Sequence, residues 1–391
     1  MFDWVGVLLT AIYFYCHFIG LSNFVYDWRT GHVFTSLPIT LYAITINAGI
    51  STALVIYWTG KSKTNLVFES ANKLHEYVII VMSGLRIIEG LVTVLNRWLQ
   101  RSQTMHLVRD IVRLYKANPQ VKKMTRWGIL LKVFSSSGTD LLQLLLSIGA
   151  MNRLSSEEII GVSLHTCISF TLNLAIAQHY FVMLFVRAQY KIVNIKLRQV
   201  VEESRRLSCL QRRGGAFMTR CCYLSDQLED IAKAQSQLQM ILNQVGEVFG
   251  IQGLMSYAGY YISSVGAYYL TYSIHKYGPE ALHMSAKTMI LATFWSFFYY
   301  LDATLNCFNM LYMWDHHKEM LRLLEERIEF ASRLDVRLEE SFESLQLQLV
   351  RNPLKMDVMG IFDITRSSTA AMIGSVIANS IFLIQFDMEY F

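Results

Sequence analysis

The sequence predicts an all-α, polytopic membrane protein with seven transmembrane helices, and three observations carry that prediction. The chain of 391 residues is 53% hydrophobic and only 17% charged, against about 25% charged in soluble domains. Proline is scarce, at four residues, and mean hydropathy is +0.31. Apolar stretches of about 20 residues, the length a helix needs to cross a bilayer, recur from one end of the chain to the other.

The expected spans are residues 4–22, 37–58, 127–150, 161–187, 245–272, 286–310 and 369–387. The first follows only Met-Phe-Asp-Trp, with no basic region and no small-residue cleavage site. It therefore reads as a span and not as a removed signal peptide. Between the second and third spans, Tyr77 to Arg101 competes for the same status. It carries Arg86 and Glu89 near its middle, three residues apart, where they share a helix face and can pair. A charge at mid-bilayer costs at least about 2.5 kcal/mol, so an amphipathic cytosolic helix is expected there.

Lysine and arginine set the orientation. Segments 59–126, 188–244 and 311–368 hold twelve, nine and eight of them; 23–36, 151–160 and 273–285 hold one each, Arg29, Arg153 and Lys276. Basic connections stay in the cytosol. The N-terminus is thus cytoplasmic and the C-terminus extracellular, with the last span ending at the outer surface. This is the reverse of a G-protein-coupled receptor.

The three long cytosolic parts read as helix extensions. Gly214-Gly215 marks a turn. Leu224, Leu228, Ile231, Gln235, Leu238, Leu242, Val245 and Phe249 then follow at alternating four- and three-residue spacing, the pattern of a buried helical seam. After the sixth span a similar row runs Leu321, Leu324, Ile328, Ala331, Asp335, Leu338. Such stripes must be buried, so a compact bundle of extensions is expected, within one subunit or between subunits. Pro353 marks a break ahead of the final helices. Acids nearly balance bases in 322–352, which argues against nucleic-acid binding.

Nothing in the sequence makes an enzyme. It has no phosphate loop, no dinucleotide-binding glycine pattern and no zinc-protease motif. The six cysteines lack metal spacing, and adjacent His316 and His317 point about 100° apart on a helix. No metal and no cofactor is expected. Asp140 and Asp302 lie inside spans, where acids either mark a binding or conduction path or bond a neighbouring helix. Polar aromatics gather toward the outer ends of the spans, some of them as an interfacial belt. Apolar walls with a few directed polar groups suit a small-molecule pocket, and Asp140, Gln143, His165, Tyr261 and Trp295 are the candidates to line one.

The last span ends Ser380-Ile381-Phe382-Leu383-Ile384-Gln385-Phe386. A hydrophobic run closed by Gln-Phe resembles the C-terminal signature of the insect gustatory receptor family, and chain length and long cytosolic connections match as well. The chain departs from it at Ala378-Asn379, where the family shows Thr-Tyr. The resemblance implies a single channel domain over residues 1–391: a ligand-gated, non-selective cation channel, assembled as a homo- or hetero-tetramer in the plasma membrane, in sensory dendrites. A small-molecule tastant, bitter or aversive by preference, would bind between the outer halves of the spans. The last helix would line the pore, the cytosolic extensions would form the anchor bundle between subunits, and lipid would surround the rest. Gln385, Phe386, Phe382 and Asp387 match the gate region, with Phe386 as a hydrophobic constriction and Asp387 and Glu389 as an outer negative ring. Read on its own, Phe386 is as compatible with lipid or interhelix packing. A transporter, or an accessory subunit without its own gate, is the alternative.

Overall fold

The computed structural model describes residues 4–27, 30–59, 73–151, 156–209, 215–278, 285–330 and 334–390. Ten α-helices dominate these residues: α1 (Trp4–Phe18), α2 (Leu37–Thr59), α3 (Lys73–Leu99), α4 (Arg101–Ala117), α5 (Gln120–Met151), α6 (Ser156–Ser208), α7 (Gly215–Tyr277), α8 (Ala286–Glu325), α9 (Val336–Arg351) and α10 (Arg366–Tyr390). Two antiparallel hairpins join them, β1 (Val25–Tyr26) with β2 (Val33–Phe34) and β3 (Asp357–Val358) with β4 (Phe362–Asp363). Arg29, Arg153 and Gly214 of the expected loops fall outside the described residues.

Two of the expected membrane assignments are corrected. The first concerns 4–22. α1 has 15 residues, a rise of about 22 Å, short of the roughly 30 Å hydrocarbon core. Gly20 ends it with φ +79°, a backbone state that costs glycine little, and the chain turns back. The 23–36 loop then meets α4: the Arg101 guanidinium donates to the Asn23 carbonyl at 2.5 Å and also to Thr40 Oγ1 of α2 at 2.6 Å. That loop was expected on the face opposite the 59–126 segment, yet it packs on the same face as α4. The second correction concerns 77–101. Among the described residues five helices are long and apolar enough to cross a membrane, and Tyr77–Leu99 has the highest mean hydropathy of them, 2.1. The expected amphipathic cytosolic helix is instead the most apolar candidate span. One helix leaves the set of expected spans and one enters, which leaves their number at seven.

α7 and α8 contain the expected spans 245–272 and 286–310. They are long enough but stand outside that set of five, because tyrosines, serines and amides dilute their apolar content.

The longest core runs through the extensions of α6, α7 and α8, closed by α9 and α4. The first seam is fully buried, from Leu224 to Phe249. Its polar member, Gln235, is 1% exposed; Gln348 of α9 donates to its Oε1 at 2.7 Å, so the amide oxygen is met across the interface, while its Nε2 has no partner among the described residues. The second row is corrected. α8 stops at Glu325, a 3-10 turn follows over Glu326–Glu329, and Ile328 is 68% exposed. Asp335 is no member of a stripe; it caps α9, its side chain accepting from the Arg337 amide at 3.1 Å. The buried positions are Leu323, Leu324, Phe330, Leu334 and Leu338.

His317 sits in this bundle, 2% exposed, and burial pushes its imidazole below the ordinary value. The folded state holds it neutral. Its share of stability is complete above the unfolded value of about 6.5 and is lost as pH falls below that. The thermal midpoint of the purified protein should fall between about pH 7 and about pH 5, and fall less in His317→Gln. Equal falls in the two proteins would remove His317 as the cause.

Candidate functional site

The polar residues inside the helix bundle are joined across helices. Arg86 of α3 donates to Asn173 Oδ1 at 2.6 Å, and Asn173 Nδ2 donates to Asp140 Oδ1 of α5 at 2.7 Å. Asn173 of α6 thus bridges a cation and an anion. The guanidinium also lies 5.5 Å from the ring centroid of Tyr299 on α8, within cation–π range. Tyr299 stacks on Trp295 at 5.3 Å and packs against Tyr260 of α7 at 5.2 Å. Glu89, 2% exposed, approaches α7 where Gly259 leaves room; a Cβ there would stand 2.9 Å from Glu89 Oε2.

Four of the five expected pocket residues belong to this region. Asp140 is bonded as described. Gln143 lies one turn on from it toward the end of α5. His165 lies toward the start of α6 from Asn173, and Trp295 toward the start of α8 from Tyr299. All three are thus displaced toward one end of the bundle. Gln143 Oε1, His165 Nε2 and Trp295 Nε1 are buried without a hydrogen-bond partner among the described residues. Buried polar atoms are normally met, so these three are unmatched polar atoms displaced from the Arg86–Asn173–Asp140 bridge toward that end of the bundle. Arg86, Glu89, Asn173 and Tyr299 were not among the expected site residues. The signal for the first two was present: their i,i+3 pairing inside an apolar run.

Tyr261 is placed elsewhere. Its hydroxyl bonds Ser375 Oγ at 2.8 Å and accepts from Asn379 Nδ2 at 2.8 Å, so it braces α7 against α10. Asn379 is the residue at the family's Thr-Tyr position, and a hydrogen bond across this helix pair exists despite the departure.

α10 is the least buried of the five candidate spans, at 11%. Its buried residues are Val376, Ser380 and Asp387, which fall within about 40° of one another on the helix. The expectation for Asp387 is corrected. It is 0% exposed and faces inward, accepting from Tyr269 at 3.0 Å, Lys276 at 3.1 Å and Tyr277 at 2.9 Å. A carboxylate paired in this way is not free to form a ring at a pore mouth. Tyr269 is 0% exposed for the same reason. His75, at the start of α3, continues the network: its ring lies 5.5 Å from Tyr269 and 5.8 Å from Tyr277, and Nε2 bonds Ser273 Oγ. Phe382, Gln385, Phe386 and Glu389 lie about 100–160° around the helix from Asp387 and are exposed.

Asp302 resolves as a contact between helices: Lys132 of α5 donates to its two oxygens at 2.7 and 2.6 Å. Among the described residues no group of three or more His, Cys, Asp or Glu is placed to hold a metal ion.

A family model described as 7tm Chemosensory receptor matches residues 9–390. The chain is 62% identical to gustatory receptor 36b of Drosophila melanogaster and 51% identical to gustatory receptor 36a, each over 391 residues and the full length of both chains. Gustatory receptor 59d of the same fly is 33% identical over 392 residues, again at full coverage. Among solved structures, the olfactory receptor OR5 of Machilis hrabei superposes with a TM-score of 0.64 at 11% identity, covering 98% of each chain. The same receptor in complex with eugenol gives 0.58 at 12% identity, covering 96% of this chain and 97% of that one. The structural likeness establishes the fold.

Proposed function

The chain belongs to the 7tm chemosensory receptor family, a family of membrane receptors and not of enzymes, and on that premise we propose that it is a taste receptor whose ligand opens a cation pore lined by α10. α2, α3, α5, α6, α7, α8 and α10 would be its seven spans, in a tetramer at the plasma membrane.

The observation that carries the reading is the rotational setting of α10. Asp387 is held inward by Tyr269, Lys276 and Tyr277, which turns Phe382, Gln385 and Phe386 to the uncovered face. Four copies around a central axis would bring these side chains together, with Phe386 as a constriction that closes by dewetting. Glu389, on that same face, takes over the outer negative charge first expected from both acids.

The tastant site is formed by Gln143, His165 and Trp295 next to the Arg86–Asn173–Asp140 bridge. The charges there already answer one another, and the wall is aromatic. That chemistry favours an apolar or aromatic compound with one or two polar groups over a polyhydroxyl sugar, in keeping with a bitter or aversive ligand. α7 connects site and gate, because it supplies Tyr260 to the first and Tyr269, Lys276 and Tyr277 to the second.

Currents recorded from cells expressing the receptor, alone and with related subunits, against a panel of bitter compounds test this. Asn173→Leu breaks the bridge and should raise the half-maximal ligand concentration by about tenfold, the equivalent of about 1.4 kcal/mol, compared between cells matched for the amount of receptor at the surface. Stoichiometric solute uptake without channel conductance would overturn the reading in favour of a transporter.

A further inference from the structure

Between the spans of α3 and α5 the charge is one-sided. Residues 101–126 hold seven lysines and arginines and one acid, Asp110. The other two long cytosolic parts are mixed: nine bases with five acids over 188–244, and eight with eleven over 311–368. A general excess of basic residues on the cytosolic side does not account for that concentration.

α4 sorts its charge onto one face. Its buried residues, Thr104, Leu107 and Ile111, fall within about 60° of one another around the helix. Arg109, Arg113 and Lys116 fall within about 60° as well, centred about 170° from the buried stripe. On the first turns of α5, Lys122, Lys123 and Arg126 lie about 100–200° around from buried Val121. None of Arg109, Arg113, Lys116, Lys123 and Arg126 pairs with an acid among the described residues.

α4 is fixed along the cytosolic ends of three spans. At its start, Arg101 reaches Thr40 in the first turn of α2. At its end, Tyr115 packs edge-on to Phe185 with ring centroids 5.3 Å apart. Gln189 donates to the Leu114 carbonyl at 3.1 Å and accepts from Asn118 at 3.1 Å. Phe185 and Gln189 stand either side of residue 187, where the span of α6 ends. Between these anchors, Leu107 and Ile111 join the core that includes Val245 and Phe249, at the start of the α7 span. A helix tied down in this way runs along the membrane boundary, and the face turned from the bundle looks outward at headgroup depth. Directly after Arg126 the exposed surface of α5 turns apolar: Trp127 is 74% exposed and Phe134 62%.

Cations beside an apolar wall follow the order of a phospholipid, from headgroup to chain. Basic residues on an interfacial helix each add attraction for an anionic leaflet. We propose that the outer face of α4, with the start of α5, binds anionic phospholipids of the cytoplasmic leaflet through their headgroups. An acidic protein would have to reach the same face at a depth that headgroups already fill. The site rests on α2, α5, α6 and α7 being spans, and on neither the pore nor the tastant site.

Trp127 is a reporter beside the site. The full-length receptor is placed in phosphatidylcholine nanodiscs holding a minor, equal fraction of either phosphatidylserine or phosphatidylcholine with brominated acyl chains, which quench tryptophan on contact. The Trp127 signal is the difference from Trp127→Phe. Brominated phosphatidylserine should associate about fivefold more strongly than brominated phosphatidylcholine, the equivalent of about 1 kcal/mol. Raising the salt to about 1 M, where the screening length falls to about 3 Å, should shrink that preference. The exposed trio Arg113→Gln, Lys116→Gln and Lys123→Gln together should bring it close to unity. If this variant is not monodisperse, Arg113→Gln with Lys123→Gln and the salt titration of the parent decide. Equal quenching by the two lipids would overturn the proposal, and so would a serine-lipid preference that survives in the variant. Quenching by neither lipid would overturn the placement of α5 in the membrane as well. A polyglutamate peptide that binds the parent equally well with and without phosphatidylserine in the disc, and not the variant, would assign the face to an acidic protein instead.

Discussion

Lys132→Met should cost about 3–5 kcal/mol and sharply reduce the yield of folded receptor, because it leaves a buried carboxylate with no counter-charge. The Lys132 ammonium is 0% exposed and donates to both Asp302 oxygens. Ser135 Oγ adds a bond to Oδ1 at 2.8 Å, and the ammonium lies 5.2 Å from the Tyr180 ring centroid. The carboxylate is thus fully answered, by groups on α5 and by Asn306 of its own helix. Removing the cation withdraws most of this at once. Replacing both partners, as Lys132→Met with Asp302→Leu, should recover most of the loss, since an apolar pair of similar volume needs no compensation. Thermal midpoints by size-exclusion in detergent give the comparison. A double variant as unstable as the single one would show that the side chains matter for some reason other than their pairing.

Phe386→Ala should produce a current in the absence of ligand. The phenyl ring is 39% exposed and packs against Tyr390 at 4.6 Å, so little within the subunit depends on it. In the proposed tetramer its loss would widen the constriction by four rings and hydrate it. A shift of about 1.4 kcal/mol toward the open state multiplies the open fraction of a mostly closed channel tenfold, and the resting current should rise by about that much. Phe386→Leu, which keeps an apolar ring of side chains, should stay closed. Whole-cell recording at matched surface expression reads both, and a Phe386→Ala receptor as silent at rest as the parent would remove Phe386 from the gate.

How far the sequence could be read depended on where each residue's partners lie in the chain. The seam from Leu224 to Phe249 was legible because its spacing is local, and all of it is buried. α3 was misjudged because the cost of a mid-membrane charge is visible in the sequence and its relief is not: Asn173 lies 87 residues from Arg86. α1 was misjudged in the opposite sense, since its apolar run continues past Phe18 while the helix stops for Gly20. Charge counts report only which side a segment lies on, so exchanging one expected span for another leaves the number of spans at seven and the exchange unseen. The Gln-Phe signature located the gate candidates, but not which way they point. The setting of α10 depends on Asp387 meeting Lys276, the single lysine or arginine of 273–285. Asp335 shows the limit of periodicity: an acid at a stripe position was the start signal of a new helix.

The Arg86–Asn173 bond also has a consequence for the order of events at the ribosome. α3 must be placed in the bilayer carrying a guanidinium and a carboxylate whose tertiary partners have not yet been translated. Asn173 follows Arg86 by 87 residues, and Gly259, which makes room for Glu89, is later still. Until α6 and α7 emerge, each charge has the other, three residues away on the same helix, as a near neighbour. The first half of the nascent chain is therefore the stage at which α3 is held most weakly and is most open to surveillance by the insertion machinery. Variants at Asn173 should be cleared during biogenesis more often than their effect on the finished receptor would suggest.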